Sequence, residues 1–237
     1  MTLRQQVLAE LVGTAFLVTG VIGSGIMATR LSPGETGLQL LENSVATGAV
    51  LAALILALHP VSAAFNPVVT LVEVAIRKVT IGQAGWVVAA QLVGGVLGAL
   101  VANLMFDLSA INLSTHTRTG SGLWLGEVVA TLGLVVVVFG CARSGRDAAT
   151  GFAVGGYIAA AYWFTSSTSF ANPAVTVGRM FSDTFAGIAP ASAPMFVLMQ
   201  LVGGGIGLGL VHALYGGNSE LPDLAGDTVS MTRGLGS

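Results

Sequence analysis

Charge is what this sequence has least of. Only 8% of its 237 residues are Asp, Glu, Lys or Arg, against ~25% in a soluble domain. Too few polar groups remain to wet a globular surface, which excludes a soluble enzyme. Lysine and arginine together number 9 and the net charge is −2. With no basic patch to release counterions, nucleic acid is excluded as a partner. Cysteine occurs once, as Cys141, which excludes a disulfide framework and a cysteine-based metal site. His59, His116 and His212 are scattered and lack partner carboxylates, so neither a metal nor a cofactor is expected. No Asp lies within an apolar run and no H-E-x-x-H motif occurs, so an intramembrane protease is not encoded.

What is present is apolar. Hydrophobic residues make up 54% of the chain and glycine contributes 33; the mean hydropathy is +0.85. Glycine in an apolar chain points to helices crossing closely in a bilayer. Spanning helices of ~20 residues are expected near 4–28, 38–58, 82–106, 122–141, 148–165 and 193–214. Two apolar leftovers, 66–76 and 172–181, are too short to span and read as re-entrant segments. No small-residue cleavage site follows the first run, so it is not read as a signal peptide. With both termini inside, the inner side holds Arg4, Arg77, Lys78, Arg143, Arg146 and Arg233; the outer side holds only Arg30, Arg118 and Arg179. That asymmetry predicts a multi-pass protein of the cell (inner) membrane with cytoplasmic termini. A single channel domain is expected over 1–215, and residues 216–237 read as a disordered cytoplasmic tail.

The chain also repeats itself. "LAELVGTAFLV" (8–18) echoes "LGEVVATLGLV" (125–135), aligning Glu10 with Glu127. "AFNPVVT" (64–70) echoes "FANPAVT" (170–176), and "QLVGG" occurs at 91–95 and 200–204. Three matches in the same order indicate a duplication, with repeat one over 1–110 and repeat two over 120–215. Three spans per half invert the second copy, so this is an all-α membrane protein with an inverted 3+3 repeat. The short segments then enter from opposite faces and meet at the midplane. Each begins with Asn-Pro: Asn suits a helix N-cap and Pro the first helical position. Two half-helix N-termini, each carrying roughly +0.5 charge, would face each other. That field opposes a cation but not a neutral hydroxylated molecule.

On "FNPVVT", "ANPAVT", "AELVGT", "GEVVAT" and "QLVGG", the chain over roughly 4–215 resembles the major intrinsic protein family, the aquaporins and aquaglyceroporins. The resemblance implies six spanning helices, two half-helices, one pore per protomer, a homotetramer in the lipid bilayer, and passive flow of water or small neutral solutes. The pore boxes are then Asn66-Pro67-Val68 and Asn172-Pro173-Ala174, with Val68 replacing the usual Ala and affecting packing more than chemistry. Family members usually carry Arg directly after the second box; Val175 stands there instead. Counting from the boxes places Thr47, Ala160 and Ser169 with Val175 at the constriction, with Ala161 or Tyr157 as alternatives to Ala160. Four small uncharged residues imply a wide, arginine-free opening that admits glycerol-like polyols or metalloid acids such as arsenite and antimonite. The stretch 156–176 is similar to bacterial arsenic-associated members, which also carry Val after the second box. A water-selective pore is the alternative reading, and a secondary transporter a more distant one.

Arg179 is read either as an outer-vestibule charge or as an interfacial Arg that snorkels to headgroups or pairs with Asp183. His59 is read either as an inner-vestibule group able to gate by protonation or as a helix-end residue. Glu10 and Glu127 would be proton-coupling groups in a transporter; the family resemblance makes them structural, accepting hydrogen bonds beside the half-helices. The glycines of the third and sixth spans are packing residues, not a phosphate loop.

Overall fold

The computed structural model describes residues 1–216. Apart from Gly216, the expected tail lies outside the described residues. Among the described residues, eight α-helices and one 3-10 turn make up the fold: α1 (Leu3–Leu31), α2 (Thr36–Leu58), α3 (Pro67–Ala75), α4 (Ile81–Met105), α5 (Ser121–Arg143), the turn Asp147–Ala149, α6 (Thr150–Phe164), α7 (Pro173–Arg179) and α8 (Ala193–Tyr215). α1, α2, α4, α5 and α8 are long and apolar enough to cross a membrane. α6 has only 15 residues, about 22 Å at 1.5 Å per residue; the 3-10 turn extends it at its start.

Local chemistry sets the ends. Thr2 with Gln5 and Thr80 with Gln83 form capping boxes at the starts of α1 and α4. These satisfy backbone donors that a helix start leaves free. Apolar side chains cover the outside: Phe16, Trp86 and Phe152 are each more than half exposed, which fits lipid on that side.

The order long, long, short, long occurs twice. α1 packs on α4 as α5 packs on α8, and α1 on α2 as α5 on α6. Glycines allow these crossings. A Cβ on Gly94 or Gly98 would stand 2.4 or 2.3 Å from the carbonyl oxygens of Leu11 and Ala15. At the equivalent positions in α8, a Cβ on Gly203 or Gly207 would stand 2.4 or 2.9 Å from the oxygens of Val128 and Leu132. The helices therefore touch backbone to backbone, as small-residue membrane interfaces do.

Candidate functional site

Each half-helix starts as its sequence dictates. Asn66 and Asn172 are extended N-caps, and Pro67 and Pro173 occupy the first helical turn. The Asn66 side-chain oxygen accepts from Val68 N at 2.9 Å, and that of Asn172 accepts from Ala174 N at 2.9 Å. The side-chain NH₂ groups then cross over. Asn66 Nδ2 donates to the carbonyl of Ala171 at 2.8 Å, and Asn172 Nδ2 donates to that of Phe65 at 2.7 Å. Each amide has two N–H donors, so each Asn keeps a second one for the pore. The crossing bonds hold the two N-termini tip to tip.

Phe65 and Ala171 precede the two Asn at φ of 48° and 49°, a left-handed conformation costly to residues other than Gly. Two buried carboxylates hold it. Glu10 accepts from Ala64 N at 2.8 Å, Phe65 N at 2.7 Å, Ser62 Oγ and Gln91 Nε2. Glu127 accepts from Phe170 N and Ala171 N, both at 2.9 Å, and from Gln200 Nε2. Gln91 also donates to Thr70 and Gln200 to Thr176, so each repeat carries the same Glu–Gln–Thr brace. Every backbone and amide partner of these carboxylates is a donor, which suits an acceptor-only group.

The half-helices border one cavity of about 920 Å³. We call "outer" the end near residues 31–36 and 180–192, and "inner" the end near residues 59–62 and 76–80. Asn66 and Asn172 line the middle, and His59, the C-cap of α2, lines the inner part. Thr47, Ser169, Val175 and Arg179 line the outer part.

Ala160 is not among the lining residues. It is exposed on the outside of α6, and neither Ala161 nor Tyr157 replaces it: Ala161 is fully buried between helices, and Tyr157 donates to the carbonyl of Ala130 at 3.0 Å. The cavity-facing stripe of α6 is Val154, Ile158 and Tyr162, with the i, i+4 spacing of one helix face. Tyr162 OH donates to Thr47 Oγ1 at 3.3 Å. Tyr162 lies ten residues before Asn172, not twelve. The connecting segment folds tightly through left-handed Thr168, Ser169 and Ala171, which spacing alone does not reveal.

The structure also corrects the Arg179–Asp183 pairing. Asp183 accepts from Thr115 N at 2.8 Å and from Thr115 Oγ1. Those bonds hold its carboxyl below the usual carboxylate range. This loop clasp is therefore complete above that range and is lost as pH falls through the depressed value. Arg179 is 2% exposed. Its Nε donates to the carbonyl of Ala186, and its guanidinium lies 3.4 Å from the centroid of the Phe170 ring, a cation–π contact.

Val68 has a receptor of its own. A Cβ on Gly204 would come within 2.3 Å of Val68 Cγ1, so the missing side chain of Gly204 accommodates the extra bulk of Val68. Gly204→Ala is expected to destabilise the fold by ~1–3 kcal/mol, and Val68→Ala in the same chain to restore most of that. Thermal midpoints of the two single variants and the double variant in detergent give the coupling. Additive losses would show that the two residues are not a matched pair.

The profile of the family "Major intrinsic protein" matches residues 1–166. Aquaglyceroporin AqpS of Rhizobium meliloti (strain 1021) is 45% identical over 213 residues, covering 90% of this chain and 91% of that protein. Probable aquaporin NIP4-2 of Arabidopsis thaliana is 28% identical over 158 residues, covering 65% of this chain and 55% of that protein. The X-ray structure of the aquaglyceroporin from Plasmodium falciparum superposes with a TM-score of 0.68 at 19% identity, over 91% of this chain and 96% of that one. With its two tip-to-tip half-helices around one cavity, the chain belongs to the major intrinsic protein family and is a multi-pass membrane channel, not an enzyme.

Proposed function

We propose that this channel passes small uncharged solutes passively, admitting glycerol-like polyols and undissociated metalloid acids such as arsenite and antimonite as well as water. The observation that carries the reading is the wall around Val175. Where relatives usually place an arginine, a short apolar side chain stands beside Ser169 and Thr47, all three bordering the cavity. A solute beside Val175 meets hydroxyls and methyl groups, while the Arg179 guanidinium stands one turn further along α7, buried against Phe170. The similarity to an aquaglyceroporin over nine-tenths of the chain supports a solute wider than water. Two N-termini at the centre favour neutral permeants over cations.

In this reading the pore sits at the interface of the two repeats. The charge asymmetry of the loops supports a location in the cell (inner) membrane with cytoplasmic termini, and the family resemblance supports a homotetramer. A water-selective pore is the second reading. Tyr162 favours it, since an aromatic ring stands where the small Ala160 was expected. Light-scattering flux of proteoliposomes separates the two. The parent is expected to pass glycerol and arsenous acid. Val175→Arg is expected to reduce both by at least ~tenfold, the scale on which a snug pocket rejects a solute, with water flux retained. A parent that passes water alone supports the second reading.

A further inference from the structure

The cavity is charged at its inner end. Arg77, Lys78 and Arg143 border it there, with the carboxylates of Glu73 and Asp147. Lys78 Nζ takes up Glu73 at 2.8 Å. Arg77 is exposed, and among the described residues its guanidinium has no hydrogen-bond or ion-pair partner. An inner arginine that faced lipid would be satisfied by headgroups, but Arg77 borders the cavity. Its backbone is left-handed, with φ 63°, and the N–H groups of Lys78 and Val79 both donate to the Glu73 carbonyl. This turn ends α3 and sets Arg77 at the rim.

The chain continues from the same rim. α8 packs on both α3 and α5, the helices that lead to Arg77 and Arg143. Its last residue, Tyr215, lies against Gly140, where a Cβ would stand 3.0 Å from the Tyr215 hydroxyl. Arg143 is three residues further along α5, about 4.5 Å at the helical rise. Residues 217–237 follow Gly216, outside the described residues. Their sequence carries Glu220, Asp223 and Asp227 ahead of a single base, Arg233, with Leu221 and Leu224 among the acids. Glu220 and Asp227 come four and eleven residues after Gly216, so they reach at most about 13 and 36 Å from it at ~3.3 Å per residue. Arg143 lies well within that range.

We propose that the acidic segment 220–227 of this chain docks on the inner rim at Arg77 and partly closes the cavity. Charge complementarity selects it. An exposed, unpaired arginine beside Lys78 and Arg143 meets three carboxylates with no base among them. Surface ion pairs are individually weak. A tethered segment nevertheless binds at an effective concentration set by its short tether, which a free anion lacks. Leu221 and Leu224 find Ile76 and Val79, two apolar residues bordering the same end. The inference goes beyond the choice of solute and holds equally for a water-selective pore.

Carbodiimide treatment of the full chain in phosphatidylcholine vesicles tests the docking, because Lys78 is the only lysine. Peptide masses are expected to show Lys78 joined, within a single chain, to Glu220, Asp223 or Asp227 as well as to Glu73. The 220–227 product is expected to fall about fivefold or more in 1 M salt, where the screening length is ~3 Å. Coupling of Lys78 to Glu73 alone overturns the proposal. Light-scattering water flux tests the closure. A full chain carrying Glu220→Gln, Asp223→Asn and Asp227→Asn leaves every described helix unchanged. It is expected to conduct about twofold or more faster than the parent, as is Arg77→Gln, and all four changes together no faster than either set, since both remove one contact. A triple variant with the parent's flux overturns the proposal. So does a gain by Arg77→Gln that appears only in vesicles with about 30% phosphatidylglycerol, which would assign the rim to lipid headgroups. Absence of both water and glycerol flux from the parent and every variant would sink the passive-pore reading, and the cross-link would still decide the docking.

Discussion

Glu10→Gln and Glu127→Gln are each expected to lower the thermal midpoint sharply and to reduce the yield of assembled protein. The reason is the direction of the hydrogen bonds. Glu10 receives bonds from two backbone amides, a serine hydroxyl and the Gln91 amide. A glutamine keeps one acceptor oxygen and turns an NH₂ toward a side of the site where a backbone N–H can only donate. At least one buried N–H is then orphaned, at ~1–3 kcal/mol, and charge-assisted bonds worth ~1.5–3 kcal/mol are weakened. A loss of roughly 3 kcal/mol or more per site is a large share of a stability of ~5–15 kcal/mol. The amides exposed to that loss are Ala64 and Phe65 in one repeat and Phe170 and Ala171 in the other; Phe65 and Ala171 carry the left-handed backbones that lead into the Asn N-caps, so the half-helices should loosen before the outer helices do. The same variants separate a channel from a proton-coupled transporter. For a transporter, the glutamine variant should remain folded and lose coupling. For a channel, whatever fraction assembles should conduct as the parent does, with no dependence on a proton gradient. Intact yield combined with lost gradient dependence would contradict the structural role drawn here.

The sequence shows these two carboxylates plainly because they are duplicated. Repetition also exposes the two Asn-Pro starts, since a helix beginning with Asn-Pro is a local signal that needs no tertiary knowledge. The observed half-helices, Pro67–Ala75 and Pro173–Arg179, fall inside the segments 66–76 and 172–181 expected from apolar length alone. What spacing misses lies where the chain leaves the helical period. Between α6 and α7, three residues other than glycine take left-handed angles, and a count back from Asn172 slips from Tyr162 to Ala160. One helical residue turns the chain by 100°, so an error of two moves the choice from the cavity wall to the outside. Arg179 was ambiguous for a different reason. Its neighbour Asp183 stands at a helical i, i+4 spacing, but α7 ends at Arg179, so that spacing has no helix to act on. The Asp183 carboxylate turns instead to Thr115.

Gly95→Ala is expected to impair conduction more than its size suggests, and in a way that no change at residue 174 repairs. Gly95 and Gly204 occupy the same place in the two repeats, yet they meet different things. A Cβ at Gly204 strikes the side chain of Val68, whereas a Cβ at Gly95 stands 2.5 Å from the carbonyl oxygen of Ala174. A side chain can be trimmed; a backbone oxygen cannot. The contact is two-sided, since a Cβ at Gly178 would stand 2.5 Å from the carbonyl oxygen of Gly95. Residues 174 and 178 flank the turn of α7 that carries Val175, and Arg179 follows directly. Relief of the clash therefore pushes the pore-lining half-helix away from α4 and carries Val175 and Arg179 with it. Overpacking of this kind costs ~1–3 kcal/mol in stability, and a displaced half-helix changes the outer end of the cavity directly. The expected result is a folded variant with reduced glycerol flux that Ala174→Gly does not restore, in contrast to the expected rescue of Gly204→Ala by Val68→Ala. Parallel light-scattering and thermal-midpoint measurements on both pairs decide it. Rescue of Gly95→Ala by Ala174→Gly would mean that α7 is held by its side chains and not by its backbone.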